Sequence, residues 1–160
     1  MMEEKTTISI LETLRAVNIF PALSSTELTL VAPLFESLTL PEDSVIFEQK
    51  QTARKLFILT RGRVLILFKP YDGEALEVAE IEPGGVFGWS AALGRSRYTS
   101  SAKCTEEGEA LSVGRNELRG FYREHPSIGV PILEGLAAVL AKRMHGTQEV
   151  LVDLLISGMN

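Results

Sequence analysis

Cysteine is almost absent from this chain of 160 residues: Cys104 stands alone, which excludes an intrachain disulfide and a cysteine-built zinc cluster. Without a resolving thiol or a nearby histidine, Cys104 reads as a small apolar residue of a strand and not as a redox sensor. Histidine is scarce too. His125 and His145 are the only two, both in the C-terminal region, too few for a metal-dependent barrel enzyme that needs several histidines and an inward carboxylate. His125 precedes Pro126 at an expected helix end, a place suited to a cap or a surface group. Ser-His-Asp and Cys-His sets, a P-loop and a dinucleotide fingerprint are all missing, so no catalytic function is expected. No apolar run approaches the ~20 residues of a membrane span. The opening MMEEKTTISILETLR is acidic and has no apolar h-region, so no secretory leader is expected and the chain reads as cytoplasmic. Cations are outnumbered, 16 Lys and Arg against 21 Asp and Glu for a formal charge of −5, the wrong sign for a surface devoted to duplex DNA or an anionic membrane.

What is present is ordinary globular material, 45% hydrophobic and 23% charged, with no internal repeat, low-complexity stretch or linker. One domain over 1–160 is expected, in three parts: helices over 7–36, strands over 37–114 and helices over 116–156. Ile8, Leu11 and Leu14 recur at helical spacing over 7–17. Ser24 with Glu27 forms a capping box that opens a second helix carrying Leu28, Val31, Leu34 and Phe35, which Pro33 ends early. From Ser37 onward the pattern becomes short strands between turn residues: 37–40, 45–48, 55–60, 63–69, 75–81, 85–89, 98–104 and 110–113. Eight such strands predict a mainly β fold with flanking helices, an eight-stranded jelly-roll or double-stranded β-helix barrel. Asp72-Gly73 marks a hairpin, and Gly62 within Arg61-Gly62-Arg63 predicts a tight turn between two strands.

Asn116 is the expected cap of a short helix over 117–123. A long helix then runs from Ser127 or Pro131 to Ile156. Along it Leu133, Ala137, Leu140, Met144, Thr147, Leu151 and Leu154 alternate in spacings of four and three, a heptad seam. Ile132, Leu136 and Val139 form a second apolar stripe. One stripe suits packing on the body and the other a second copy of the chain, with a single-faced helix on its own barrel as the alternative.

The stretch Ile81–Cys104, IEPGGVFGWSAALGRSRYTSSAKC, carries the candidate site. A Pro-Gly-Gly turn leads to Val86-Phe87, then to Gly88-Trp89-Ser90-Ala91-Ala92, small residues where backbone approaches a ligand or a one-turn helix offers free N–H groups. Arg95, Arg97, Tyr98 and Thr99 follow, cations and hydroxyls of the kind that bind phosphate or carboxylate. The layout F-G-x-x-x-A-L followed by R-x-x-S-x-A resembles the phosphate-binding cassette of the cyclic nucleotide-binding domain family. N-I-F-P-A-L-S-S-T-E-L at the entry and L-F-I-L-T-R-G-R-V with its glycine extend the likeness over about residues 12–156. The resemblance implies a sensor domain and a C-terminal dimerisation helix, with Leu133, Ala137, Leu140, Met144, Leu151 and Leu154 at the interface. It implies as ligand-binding candidates Phe87, Gly88, Trp89, Ser90, Ala91, Arg95, Arg97, Tyr98 and Thr99.

Two departures matter. In the family a glutamate after the glycine accepts a bond from the ribose 2′-hydroxyl; Trp89 stands there, and indole cannot accept. Tyr98 occupies the place of the cyclic-phosphate arginine, with Arg97 one position early, so Arg97 reaches a phosphate only if the loop has shortened. The expectation is a stand-alone regulatory or sensor module that does not bind cAMP in the usual way, with no certain cofactor, taking a cyclic nucleotide or another small anion if any ligand. It is expected to act as a homodimer on a partner protein. A ligand-free dimerisation or interaction domain, and a true cyclic-nucleotide sensor using Arg97, remain open. After the long helix only Ser157-Gly158-Met159-Asn160 remain, so DNA binding is not expected.

Overall fold

The structure, a computed structural model, describes residues 10–17, 20 and 23–159, with backbone alone for 143–159. Helix α1 covers residues 10–16, and Ile10 and Leu14 along it and Val17 just after it are buried; Ile8, expected on the same face, lies outside the described residues. The capping box forms as its sequence predicts: the Ser24 hydroxyl accepts the Glu27 N–H at 3.2 Å, and Glu27 Oε1 accepts the Ser24 N–H at 3.0 Å. It starts α2, Ser25–Val31, which tightens into a 3₁₀ turn at Ala32–Leu34 around Pro33.

The β region is one antiparallel system of six strands: β1 Glu36–Leu40, β2 Val45–Phe47, β3 Lys55–Phe68, β4 Leu76–Ile81, β5 Val86–Phe87 and β6 Ser101–Gly114. Eight separate strands are not what forms. The expected pair 55–60 and 63–69 is a single strand, because β3 pairs with β6 on both sides of Gly62 with register shifts where the two bend together. Likewise 110–113 belongs to the strand that starts at Ser101, and Tyr98–Ser100 precedes it as loop. Gly62 therefore makes no reversal. It has φ +95°, and a Cβ there would lie 2.9 Å from the Gly108 Cα; a Cβ on Gly108 would run into the Arg61 carbonyl. Two glycines allow the paired ribbon to cross itself closely at its bend.

On one side of that bend β1 and β5 flank the ribbon, on the other β2 and β4. The hydrogen-bonded path runs β1-β6-β3-β4, with β2 paired to β6 and β5 to β3. Side chains alternate along β3. Leu56 and Ile58 join Leu14, Leu28, Val31, Leu118, Phe121, Ile132 and Leu136 in a core under the helices. Phe57 and Leu59 join Phe47, Val64, Ile66, Phe87, Tyr98 and Cys104 in a second core between the halves of the bent sheet. Burial on both faces explains why this strand reads as a continuous apolar run. Cys104 is fully buried there, and burial raises its thiol pKa, which matches its expected role as a small apolar residue.

A one-turn helix, α3 Trp89–Ala92, follows β5. Helix α4 spans Arg115–Glu124 with Gly114 as N-cap, not Asn116: the Arg115 N–H is bonded to the Arg54 carbonyl at 2.7 Å, which starts the helix two residues sooner. Helix α5 spans Pro126–Met159, with Pro131 inside it. Its Ile132 and Leu136 are buried against the helical core, while Leu133 and Leu140 are half-buried and Ala137 is exposed. The side chains of Met144, Leu151 and Leu154 lie outside the described residues.

Candidate functional site

The cassette is built onto β3. The Gly84 N–H donates to the Leu59 carbonyl and the Leu59 N–H to the Gly85 carbonyl, at 2.7 and 2.9 Å, and Val86-Phe87 then pair with Ile58 and Phe57. Gly88 turns the chain with φ +81°; a Cβ there would meet the Lys55 carbonyl at 2.9 Å and Phe57 Cδ2 at 3.1 Å. Only glycine fits both the angle and the space. In α3, Ser90, Ala91 and Ala92 are buried. The Ala91 N–H turns back to the Gly88 carbonyl at 3.3 Å, so one of the donors expected to meet an anion is already used. Trp89 packs, half-buried, on the helical core.

The residues after α3 separate. Arg95 is exposed, and its carbonyl, with that of Gly94, accepts the Arg115 guanidinium at 2.7 and 3.0 Å, which ties the cassette to α4. Residues 96–98 run beside 50–53: the Ala53 N–H bonds the Ser96 carbonyl at 3.0 Å, the Tyr98 N–H the Gln51 carbonyl at 2.9 Å, and the Lys50 N–H the Tyr98 carbonyl at 2.9 Å. Arg97, exposed and bridged to Thr52, sends its guanidinium to the Lys50 carbonyl at 2.9 Å. Thr99 is exposed. Arg95 and Arg97 are both exposed, and of the two only Arg97 has extended pairing.

Tyr98 goes the other way. Successive residues of an extended segment point to opposite sides, so with Arg97 outward the phenol enters the core between the sheet halves, where it is 5% exposed. Its ring stacks on Phe47 at 3.8 Å and 14°. Phe47 in turn stacks with Phe57 at 5.8 Å and with Phe87 at 6.2 Å, and Phe57 with Phe87 at 5.1 Å. The Tyr98 hydroxyl donates to the Lys55 carbonyl at 2.6 Å and accepts the Lys55 N–H at 3.1 Å. Burial pushes its pKa up, against a smaller lowering by backbone bonds. Gly88 borders the core in which Phe87 and Tyr98 lie with Phe47 and Phe57, which the sequence does not single out. Their signal is alternation in strands, which marks any core residue equally. Among the described residues no group of side chains suits a metal ion, and no helix is long and apolar enough to cross a membrane.

A strand, a glycine turn and a one-turn helix thus pack on the bent sheet and lead, through β6 and α4, to a long C-terminal helix. Residues 37–125 match the sequence model of the cyclic nucleotide-binding domain, and the chain belongs to that family. It is 26% identical over 146 residues to a CRP-like cAMP-activated global transcriptional regulator of Mycobacterium tuberculosis, an alignment covering 91% of this chain and 63% of the relative. It therefore spans less than two thirds of that relative's length. The catabolite activator protein of Thermus thermophilus superposes with a TM-score of 0.72 at 26% identity over 86% of this chain and 62% of that one. A cyclic nucleotide-binding domain from Methylobacillus flagellatus shares the fold at a TM-score of 0.81 and 16% identity, over 93% of this chain and 84% of that one.

Proposed function

We propose that this chain is a regulatory module of the cyclic nucleotide-binding family whose inner site is filled by its own aromatic side chains, so that it takes neither cAMP nor cGMP in the family's usual way. It carries out no catalysis. It works as a homodimer through α5 and passes its signal to a partner protein. The observation that carries this reading is Tyr98: at the cassette position where the family places its phosphate-binding arginine, a buried phenol is stacked on Phe47 and bonded to Lys55. The reading in which Arg97 serves as a displaced phosphate ligand is less favoured, because its guanidinium lies on the Lys50 carbonyl.

Magnitudes support the exclusion. Loss of a hydrogen bond to a charged group costs about 1.5–3 kcal/mol, and loss of the partner of a buried charge about 3–5 kcal/mol. Together these weaken binding by on the order of a thousandfold or more. Titration calorimetry with cAMP and with cGMP is expected to give no saturable heat at sub-millimolar nucleotide; low-micromolar affinity for either would overturn the proposal.

A protein partner fits the charge better than DNA does. Net charge is −5, and Arg61 and Arg63 are spent on Glu109 and Glu80 at 3.5 and 2.7 Å. Phosphate contacts supply most non-specific DNA affinity, so a gel shift at low salt, where such attraction is strongest, is expected to stay negative. Salt-sensitive retardation of duplex DNA would sink this part of the reading.

A further inference from the structure

Helix α4 places Arg115, Leu118, Arg119 and Tyr122 on one face by their spacing of three, one and three residues. That face looks onto an open cavity of about 300 Å³, lined also by Ala91 and Ala92 of α3, by Leu93 and Gly94 after it, and by Leu133 of α5. The volume is at the small end for ligand sites. The walls are mostly methyl groups, and the polar atoms are unevenly committed. The Arg115 guanidinium is held by the carbonyls of Gly94 and Arg95 and acts as wall. Arg119 is exposed and has no ion-pair partner among the described residues.

Tyr122 is the unusual member. Its ring packs where Gly129 of α5 lacks a side chain, with Cδ1 2.9 Å from where a Cβ would stand. Its hydroxyl is buried without a hydrogen-bond partner, whereas buried polar groups in folded proteins nearly always have one. Burial alone pushes its pKa up to about 12, with no neighbouring bond to offset it. Two donors on this face of α4 have no protein acceptor among the described residues, the buried Tyr122 O–H and the solvent-facing Arg119 guanidinium. A group that satisfies both is an anion with an apolar tail.

We propose that the cavity between α3, α4 and α5 binds a small amphipathic carboxylate, an aliphatic or aromatic acid, with its tail among Leu93, Leu118 and Leu133 and its carboxylate at Arg119 and Tyr122. The Tyr122 hydroxyl is shielded in the empty site, so the acceptor engages it through a shift of the ring, and that shift gives the stranded donor a partner. Occupancy wedges the cassette helix from the long helix, which makes the cavity a place where a ligand biases α5. The proposal does not depend on what the core between the sheet halves holds.

The test is a titration of the full chain with octanoate, with octanol as the uncharged control, read by calorimetry and by the fluorescence of Trp89, the only tryptophan and the first residue of α3. Octanoate is expected to bind saturably at sub-millimolar concentration, and octanol about tenfold more weakly, the worth of one charge-assisted bond. Tyr122→Phe and Arg119→Gln are each expected to weaken octanoate by roughly fivefold to tenfold. Unliganded Tyr122→Phe should melt no lower than the unmodified protein, since it loses no hydrogen bond. Absence of saturable octanoate binding, octanol binding as tight as octanoate, or Tyr122→Phe and Arg119→Gln both binding with unchanged affinity would each overturn the proposal.

Discussion

Tyr98→Ala is expected to lower the stability of the protein by about 3–5 kcal/mol, the range for removing a large ring from a packed core, and hence its melting temperature by roughly 6–20 °C. The ring that is lost lies 3.8 Å from Phe47 in a cluster whose other members, Phe57 and Phe87, are themselves buried and held in place by the β3–β5 pairing. The site cannot collapse easily. The truncation also strands the Lys55 N–H and carbonyl that the hydroxyl now satisfies. Tyr98→Phe separates the two contributions: it keeps the stack and removes only the bonds, for about 1–3 kcal/mol. Calorimetric melting of both variants checks the assignment. A Tyr98→Ala variant as stable as the parent would mean that the ring is not the filler of this core.

Leu140→Glu is expected to convert a dimer into a folded monomer. Ile132 and Leu136 of α5 are buried against the chain's own helical core, and Leu133, the first position of the heptad seam, packs at its edge, whereas Ala137 and Leu140, the next two positions, are exposed and half-buried. Apolar residues recurring at four and three on the less covered side of a helix suit a second copy of the same helix. A carboxylate placed there loses its solvent without gaining a partner, at about 3–5 kcal/mol, which raises the dimer dissociation constant roughly a hundredfold to several thousandfold. Light scattering at tens of micromolar should report a dimer for the unmodified chain and a monomer for the variant, with unchanged circular dichroism. A monomeric unmodified chain would show the seam to be misread.

The sequence by itself determined what local chemistry decides. The capping box at Ser24 and Glu27, the turn at Pro83-Gly84-Gly85 and the shared apolar face of Leu28 and Val31 each depend on neighbours in the chain, and each is where its residues put it. The family likeness was legible for the same reason, since the cassette is a contiguous stretch. Tertiary structure decided the rest. Whether Gly62 reverses the chain or lets a ribbon bend depends on Gly108, 46 residues later (108 − 62), and no local pattern distinguishes the two, so eight expected strands became six. Asn116 is a good cap by residue type, but a bond to Arg54 begins α4 at Arg115. Arg97 and Tyr98 are adjacent in sequence and equal as candidates. Which one faces inward was fixed by the pairing of 96–98 with 50–53, a long-range register that sends neighbours to opposite sides and so places a phenol, not a guanidinium, in the core.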